Sequence, residues 1–295
     1  MNEFKTYHPI VNFTYFVFVI GFSMFFMHPI CLLTSILCGF LYSVILKGKK
    51  AVKLNLLYML PMMIAMALIN PLFNHEGETI LYYFPGGNPL TLESIAYGLA
   101  AAVMIASVIC WFSCYNEVMT SDKFIYLFGR IIPSLSLILS MTLRFVPKFM
   151  KQLKVVTNAQ RCIGRDISYG SIVKRLKHGI SILSIMVTWS LENAIETADS
   201  MKARGYGVSG RSAFSIYTFD KRDKNVLFLI AGRSIYVFIS YMLGEMNFSY
   251  FPCMKTAGYS ILSISCFLAY AVICVLPIII ELMEVKRWKV LKSKI

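Results

Sequence analysis

Residues 257–280 read AGYSILSISCFLAYAVICVLPIII, a run with no Asp, Glu, Lys, Arg or His. An α-helix rises 1.5 Å per residue, so crossing a hydrocarbon core of about 30 Å takes about 20 such residues, with tolerance down to about 17. Working outward from this segment, comparable runs occur at 10–27, 30–46, 54–72, 95–112 and 226–243. The chain as a whole is 57% hydrophobic and only 15% charged, too apolar for an ordinary soluble domain. The expected fold is an all-α integral membrane protein with about six transmembrane helices. No cleavage site follows the first apolar run, which continues at once into the second, so it reads as a span and not as a removed signal.

Charge sets the orientation. The net charge of +14 comes from 29 Lys and Arg against 15 Asp and Glu. On a soluble chain it would point to nucleic acid; beside this much apolar sequence it reads as loop bias next to a lipid bilayer, with no nucleic-acid partner. With six spans and the N-terminus inside, 27 of the 29 basic residues fall on the inner side. The loop at 71–93 carries none, Lys255 lies outside, and Arg233 lies within a span, close enough to the inner end to snorkel. Both termini are therefore expected in the cytoplasm, at the cell membrane. The chain divides into transmembrane helices 1–4 (residues 1–115, with the external loop at 71–93), a cytoplasmic segment (116–225), and helices 5–6 with a basic tail (226–295). Pro71 and the Pro85-Gly86-Gly87-Asn88-Pro89 cluster mark the external loop. Thr91 is placed to cap the helix after it, with Glu93 in the first turn.

The segment 116–225 is unusually long for a loop between spans, and its character is helical. Two apolar stretches in it, 131–146 and 179–191, compete for membrane status. Making both spans would put eight basic residues between them on the outer face, so they read as long helices at or below the inner surface. Phe149, Leu153 and Val156 recur at helical spacing with Lys148, Lys151 and Lys154 on other faces, giving a basic amphipathic helix. It ends at Ala159-Gln160-Arg161-Cys162-Ile163-Gly164-Arg165. A second helix, roughly 180–203, ends at Met201-Lys202-Ala203-Arg204-Gly205-Tyr206-Gly207. Each end sets an arginine beside a glycine able to take the left-handed position past a helix. A plain dipole cap explains one such end. Two in one cytoplasmic segment favour docking, because a guanidinium at a rigid tip binds carboxylates bidentately.

At these residues the chain resembles the T component of energy-coupling factor transporters, the cobalt transport protein family. The resemblance rests first on Ala203-Arg204-Gly205. It extends through Asn70-Pro71-Leu72-Phe73 with Gly77, Leu92-Glu93-Ser94 with Tyr97-Gly98, Thr120-Ser121-Asp122-Lys123, Leu143-Arg144-Phe145-Val146-Pro147 and Ala159-Gln160. It implies a transmembrane coupling subunit of an importer for a vitamin or transition-metal ion. Two cytoplasmic ABC-type ATPases would receive its coupling-helix tips, and a membrane-embedded S component would capture the substrate. ATP would be used by the partners, and this chain would bind no cofactor. On that analogy Arg204 is one tip residue. At the first tip, where Ala-Arg-Gly is usual after Ala-Gln, the chain has Cys162-Ile163-Gly164-Arg165, so the tip arginine is Arg161 or Arg165, with Arg165 preferred.

Other classes fit less well. A stand-alone secondary transporter usually sets carboxylates or histidines at mid-membrane, yet the spans are nearly free of carboxylates until Glu281. A membrane enzyme would need more than the Asp220 and Asp223 pair in a basic linker. No Gly-x-x-x-x-Gly-Lys-Ser/Thr loop occurs, so the chain is not expected to hydrolyse ATP or act as an enzyme. The four histidines give no metal site: His8 and His28 flank a span and lie roughly 27 Å apart, His75 is outside, and His178 is inside. The eight cysteines are scattered in apolar runs and read as packing residues.

Overall fold

The computed structural model describes residues 3–83, 88–129, 132–208, 217–256, 258 and 260–292. Pro85, Gly86 and Gly87 of the loop cluster, residue 131 and residue 257 lie outside them. Nine α-helices run in chain order through the described residues: α1 (Pro9–Phe25), α2 (Pro29–Lys47), α3 (Lys49–Phe73), α4 (Leu92–Val118), α5 (Ser121–Gly129), α6 (Pro133–Cys162), α7 (Ile172–Ala203), α8 (Lys221–Met242) and α9 (Ile261–Lys292). Two short antiparallel hairpins join them, β1 (Ile80–Tyr83) with β2 (Pro89–Thr91), and β3 (Phe248–Ser249) with β4 (Lys255–Thr256). The all-α membrane fold expected from the runs is present. Five helices (α2, α3, α4, α8 and α9) are long and apolar enough to cross a membrane, and α1 is apolar but only 17 residues long, at the lower limit.

Several boundaries differ from the sequence reading. Pro71 does not end a helix but lies inside α3, together with Pro61. The helix after the external loop starts at Leu92 and not at 95, with Thr91 as its cap: the Thr91 hydroxyl accepts from the Ser94 N–H at 3.3 Å. The stretch read as 131–146 and the basic amphipathic helix after it are one continuous helix, α6, of 30 residues with Pro147 inside it. The second long helix starts eight residues early, at Ile172, and its added turns continue the apolar spacing with Ile172, Leu176 and Ile180 among Lys174, Arg175 and Lys177. Helix α5 and the two hairpins were not foreseen.

The chain separates into two compact units, residues 1–124 with 217–295, and residues 125–216. In the first unit, α1 and α2 both begin His-Pro-Ile, at 8–10 and at 28–30. Proline suits a first helical position, since its φ is preset and its missing N–H would have had no partner. The preceding imidazole supplies the cap: Nδ1 of His8 accepts from the Ile10 N–H and Nδ1 of His28 from the Ile30 N–H, each at 3.3 Å. Burial holds both imidazoles below the usual histidine range and so favours the neutral form, which keeps an acceptor nitrogen. These two histidines serve helix starts.

The core lies among α1, α2, α4, α8 and α9. Trp111 of α4 is fully buried against Tyr15 and Tyr42, and its Nε1–H donates to the Ser35 hydroxyl of α2 at 3.0 Å. Ser35 in turn bonds the Ser23 hydroxyl of α1 at 2.6 Å. Gly39 makes this close approach possible: a Cβ there would sit 3.3 Å from the indole. Small residues at helix contacts are how apolar helices pack when lipid tails are as apolar as the side chains.

One end of this bundle is closed by the start of the chain. A 3₁₀ turn at Phe4–Thr6 precedes α1, and Phe4 is fully buried. The Phe4 N–H donates to Glu281 Oε1 of α9 at 3.2 Å, and the His8 N–H to Asp223 Oδ1 of α8 at 3.3 Å. Lys123 of α5, almost wholly buried, donates to the Lys5 carbonyl; burial brings its ammonium down to about 8. The carboxylates that looked isolated in the sequence are therefore acceptors for the N-terminal backbone. At α4, the buried Glu93 carboxylate accepts from the Thr79 N–H at 3.3 Å, and Gly77 (φ 139°) packs against it so closely that a Cβ would clash.

Candidate functional site

The second unit consists of little besides α6 and α7, and few of its side chains are buried. Val156 and Ile182 are its buried apolar residues among those described, while Met150, Val155, Leu176, Leu183, Val187, Leu191 and Ile195 stand exposed. The helices touch where Phe149 meets Trp189 edge to face, with ring centroids 5.3 Å apart. Lys148 lies 5.4 Å from the Trp189 ring centroid and donates to Asn193 Oδ1. From that contact each helix runs on for 13–14 residues, about 20 Å, to its C-terminal tip.

Both tips end in the same backbone lock. The last carbonyls of a helix have no donors ahead of them, and a left-handed residue just past the end can turn two N–H groups back onto them. At the end of α6, Gly164 takes φ +77°; its N–H donates to the Arg161 carbonyl at 3.0 Å, and the Arg165 N–H donates to the Gln160 carbonyl at 2.9 Å. At the end of α7, Gly205 takes φ +76°; its N–H donates to the Lys202 carbonyl at 2.9 Å, and the Tyr206 N–H donates to the Met201 carbonyl at 3.0 Å. Each is a complete Schellman motif, so the two tips correspond residue for residue. Gly164 stands with Gly205, Cys162 with Ala203, Ile163 with Arg204, Arg161 with Lys202, and Arg165 with Tyr206.

The two ends carry different chemistry on this shared backbone. Arg204 is exposed at the C-cap, and its guanidinium has no hydrogen bond or ion pair among the described residues. The corresponding residue of α6 is Ile163, 62% exposed. Arg165 is also exposed and free of side-chain partners among the described residues, but it lies two residues further on. Arg161 is committed to its own loop: Nε donates to Asp166 Oδ2 at 3.1 Å and Nη2 to the Ser168 hydroxyl at 3.2 Å. The Ser168 backbone N–H, and then Arg161, hold the Asp166 carboxyl below the usual carboxylate range. Arg175 Nε donates to the Ile167 carbonyl at 2.7 Å and ties the same loop to the start of α7. Reading the sequence by its arginines missed Ile163 as the counterpart of Arg204; the glycines, which mark the register, would have found it. Among the described residues no group of three or more His, Cys, Asp or Glu is placed to hold a metal ion.

A family model described as "Cobalt transport protein" matches residues 4–215, most of the chain. The chain belongs to the cobalt transport protein family. Its match covers both locked tips of α6 and α7 and most of the first unit. Curated relatives of this cobalt transport protein family member bear the name energy-coupling factor transporter transmembrane protein EcfT. The one from Bacillus selenitireducens is 29% identical over 174 residues, which is 56% of this chain and 65% of the relative. That of Staphylococcus aureus is 27% identical over 187 residues, 58% and 68% of the two chains. That of Lactobacillus helveticus is 36% identical over 93 residues, 31% and 34% of the two chains. The chain thus spans between about a third and two thirds of the length of these relatives.

Proposed function

We propose that this chain is the transmembrane coupling subunit, the T component, of an energy-coupling factor importer. In this reading α6 and α7 are coupling helices whose tips dock into two cytoplasmic ABC-type ATPases. Movement of these helices is passed to a membrane-embedded S component that carries a vitamin or transition-metal ion. The observation that supports it most is the pair of identical Schellman ends on two long helices whose faces are largely exposed. Such helices are rigid to their last residue and carry more exposed apolar surface than a lone helix pair in water sustains, which calls for protein partners. Arg204, whose side chain has no partner among the described residues, is the residue that meets an acidic groove; Gly205 sets its direction and Ala203 leaves the approach clear. At the first tip Gly164 plays the part of Gly205, and Arg165, not the loop-bound Arg161, is the cation without a side-chain partner among the described residues. The names of the relatives agree with this role. The chain itself is non-catalytic and binds no cofactor, and ATP belongs to the partners.

The test is reconstitution. Purified alone, the chain should neither hydrolyse ATP nor move a substrate, whereas co-expressed with two ABC ATPases and an S component it should elute as one complex. Uptake into vesicles containing only this chain would overturn the reading and favour a stand-alone transporter.

Orientation belongs to the same proposal: both termini in the cytoplasm of a multi-pass cell-membrane protein, supported by the 27 of 29 basic residues on one side. The cysteines make it testable without substitutions, since six of the eight are buried, Cys162 is exposed and Cys253 is half-buried. In sealed cells an impermeant maleimide should label Cys253 and spare Cys162, and permeabilisation should expose Cys162. Labelling of Cys162 in sealed cells would invert the topology.

A further inference from the structure

We infer that the two tips are read by different chemistry: Arg204 by carboxylates, and Ile163 by an apolar hollow on the ATPase that receives α6. The inference rests on the coupling-subunit reading and adds to it a recognition residue and the kind of surface that residue fits. The register carries it. In both Schellman ends the C-cap residue lies directly before the left-handed glycine and two and three residues after the locking carbonyls, so Ile163 and Arg204 are presented at the same place on the same rigid backbone. One is a branched hydrocarbon and the other a guanidinium. A socket lined with carboxylates at that place would leave them unpaired against Ile163, at a desolvation cost that an apolar socket avoids.

The surroundings reinforce the difference. At the α6 tip the nearest cation, Arg161, is neutralised by Asp166 and held down on the loop, and Arg175 is turned to the Ile167 carbonyl. Beside the exposed Arg165, Lys174 and the two loop-bound arginines, the tip and loop expose an apolar set: Ile163 (62% exposed), Tyr169 (79%), Ile172 (75%) and Val173 (75%). At the α7 tip Lys202 and Arg204 are both exposed, and neither has an acidic partner among the described residues. Arg165, at the place of Tyr206, is left for the rim of the hollow. The two receiving sockets are therefore not chemical copies of each other.

The experiment uses the full chain co-expressed with its ABC ATPases and the S component. A photo-reactive phenylalanine is placed at position 163 or 204, and the cross-linked ATPase residues are identified by mass spectrometry. Position 163 should cross-link to a peptide of apolar residues, and position 204 to one bearing Asp or Glu. In parallel, Ile163→Arg should lower ATPase retention about tenfold or more, the scale of burying an unmatched charge, while Ile163→Leu retains it. Retention unchanged or improved in Ile163→Arg, or an acid-bearing peptide at position 163, overturns the inference. Arg204→Glu separates the two levels. If it weakens retention while Ile163→Arg does not, only the apolar socket falls; if neither matters, the coupling reading itself fails.

Discussion

Replacing Arg204 by glutamate is expected to abolish productive ATPase docking while leaving the protein in the membrane at its normal level. A guanidinium at a rigid helix tip that pairs bidentately with a buried carboxylate contributes through the pair; removing one partner leaves the other desolvated and unmatched. Truncating one side of such a pair costs about 2–5 kcal/mol. That corresponds to a loss of binding of between about one and a half and three and a half decades. Arg204→Ala should show that loss, and Arg204→Glu should exceed it by adding repulsion. Arg204→Lys should recover only part, since an ammonium is a point donor and not a planar fork. The fold should tolerate all three, because the Arg204 side chain has no partner among the described residues, and the lock at that end uses backbone groups of Gly205 and Tyr206. Arg165→Ala should act in the same direction and more mildly. The measurement is co-purification of the ATPases from membranes with each variant, normalised to the level of this chain. Full retention of the ATPases by Arg204→Glu would reduce the tip to a dipole cap.

Trp111→Ala is expected to be the most damaging single truncation in the first unit. The indole is fully enclosed, touches Tyr15 and Tyr42, fills the space left by Gly39, and donates to Ser35. Large-to-small truncations of a buried Trp cost about 3–5 kcal/mol in soluble cores, where transfer and cavity terms add. In a bilayer the transfer term shrinks, because lipid is as apolar as the core, and the lost contacts and the void carry most of the effect. The α1–α2–α4 junction should therefore loosen, seen as a large drop in the unfolding midpoint in mild detergent. Trp111→Phe should restore most of the packing and lose the Ser35 bond, worth about 1 kcal/mol. An Ala variant as stable as the parent would mean that this junction is not where the bundle is held.

The membrane class and most span positions were legible because apolar length is a direct physical requirement of the bilayer, and 257–280 or 95–112 satisfy it without help from context. The tips were legible as helix ends because glycine beside basic residues is a local signal, and Gly164 and Gly205 do take the left-handed conformation. What stayed hidden depended on distant partners. Nothing near Glu281 says that it accepts a hydrogen bond from the Phe4 N–H, and nothing near His28 distinguishes a cap from a ligand until the Ile30 N–H is in place. Pro71 reads as the start of the external loop yet lies within a helix. Internal prolines are tolerated in membrane helices where neighbouring groups take up the freed carbonyls. The equivalence of Ile163 and Arg204 was hidden for another reason: side-chain charge draws the eye to arginine, whereas the backbone register is written in glycine.

The closure of the bundle by its own beginning bears on how the protein is made. His8 and Phe4 are synthesised well before their acceptors, Asp223 and Glu281, which lie 215 and 277 residues further along respectively. Until α8 and α9 are made, the segment around Phe4 and His8 lacks these acceptors, and α1 must be held by the insertion machinery or by α2 and α4. Helix α9 thus acts as the latch on the segment that precedes α1.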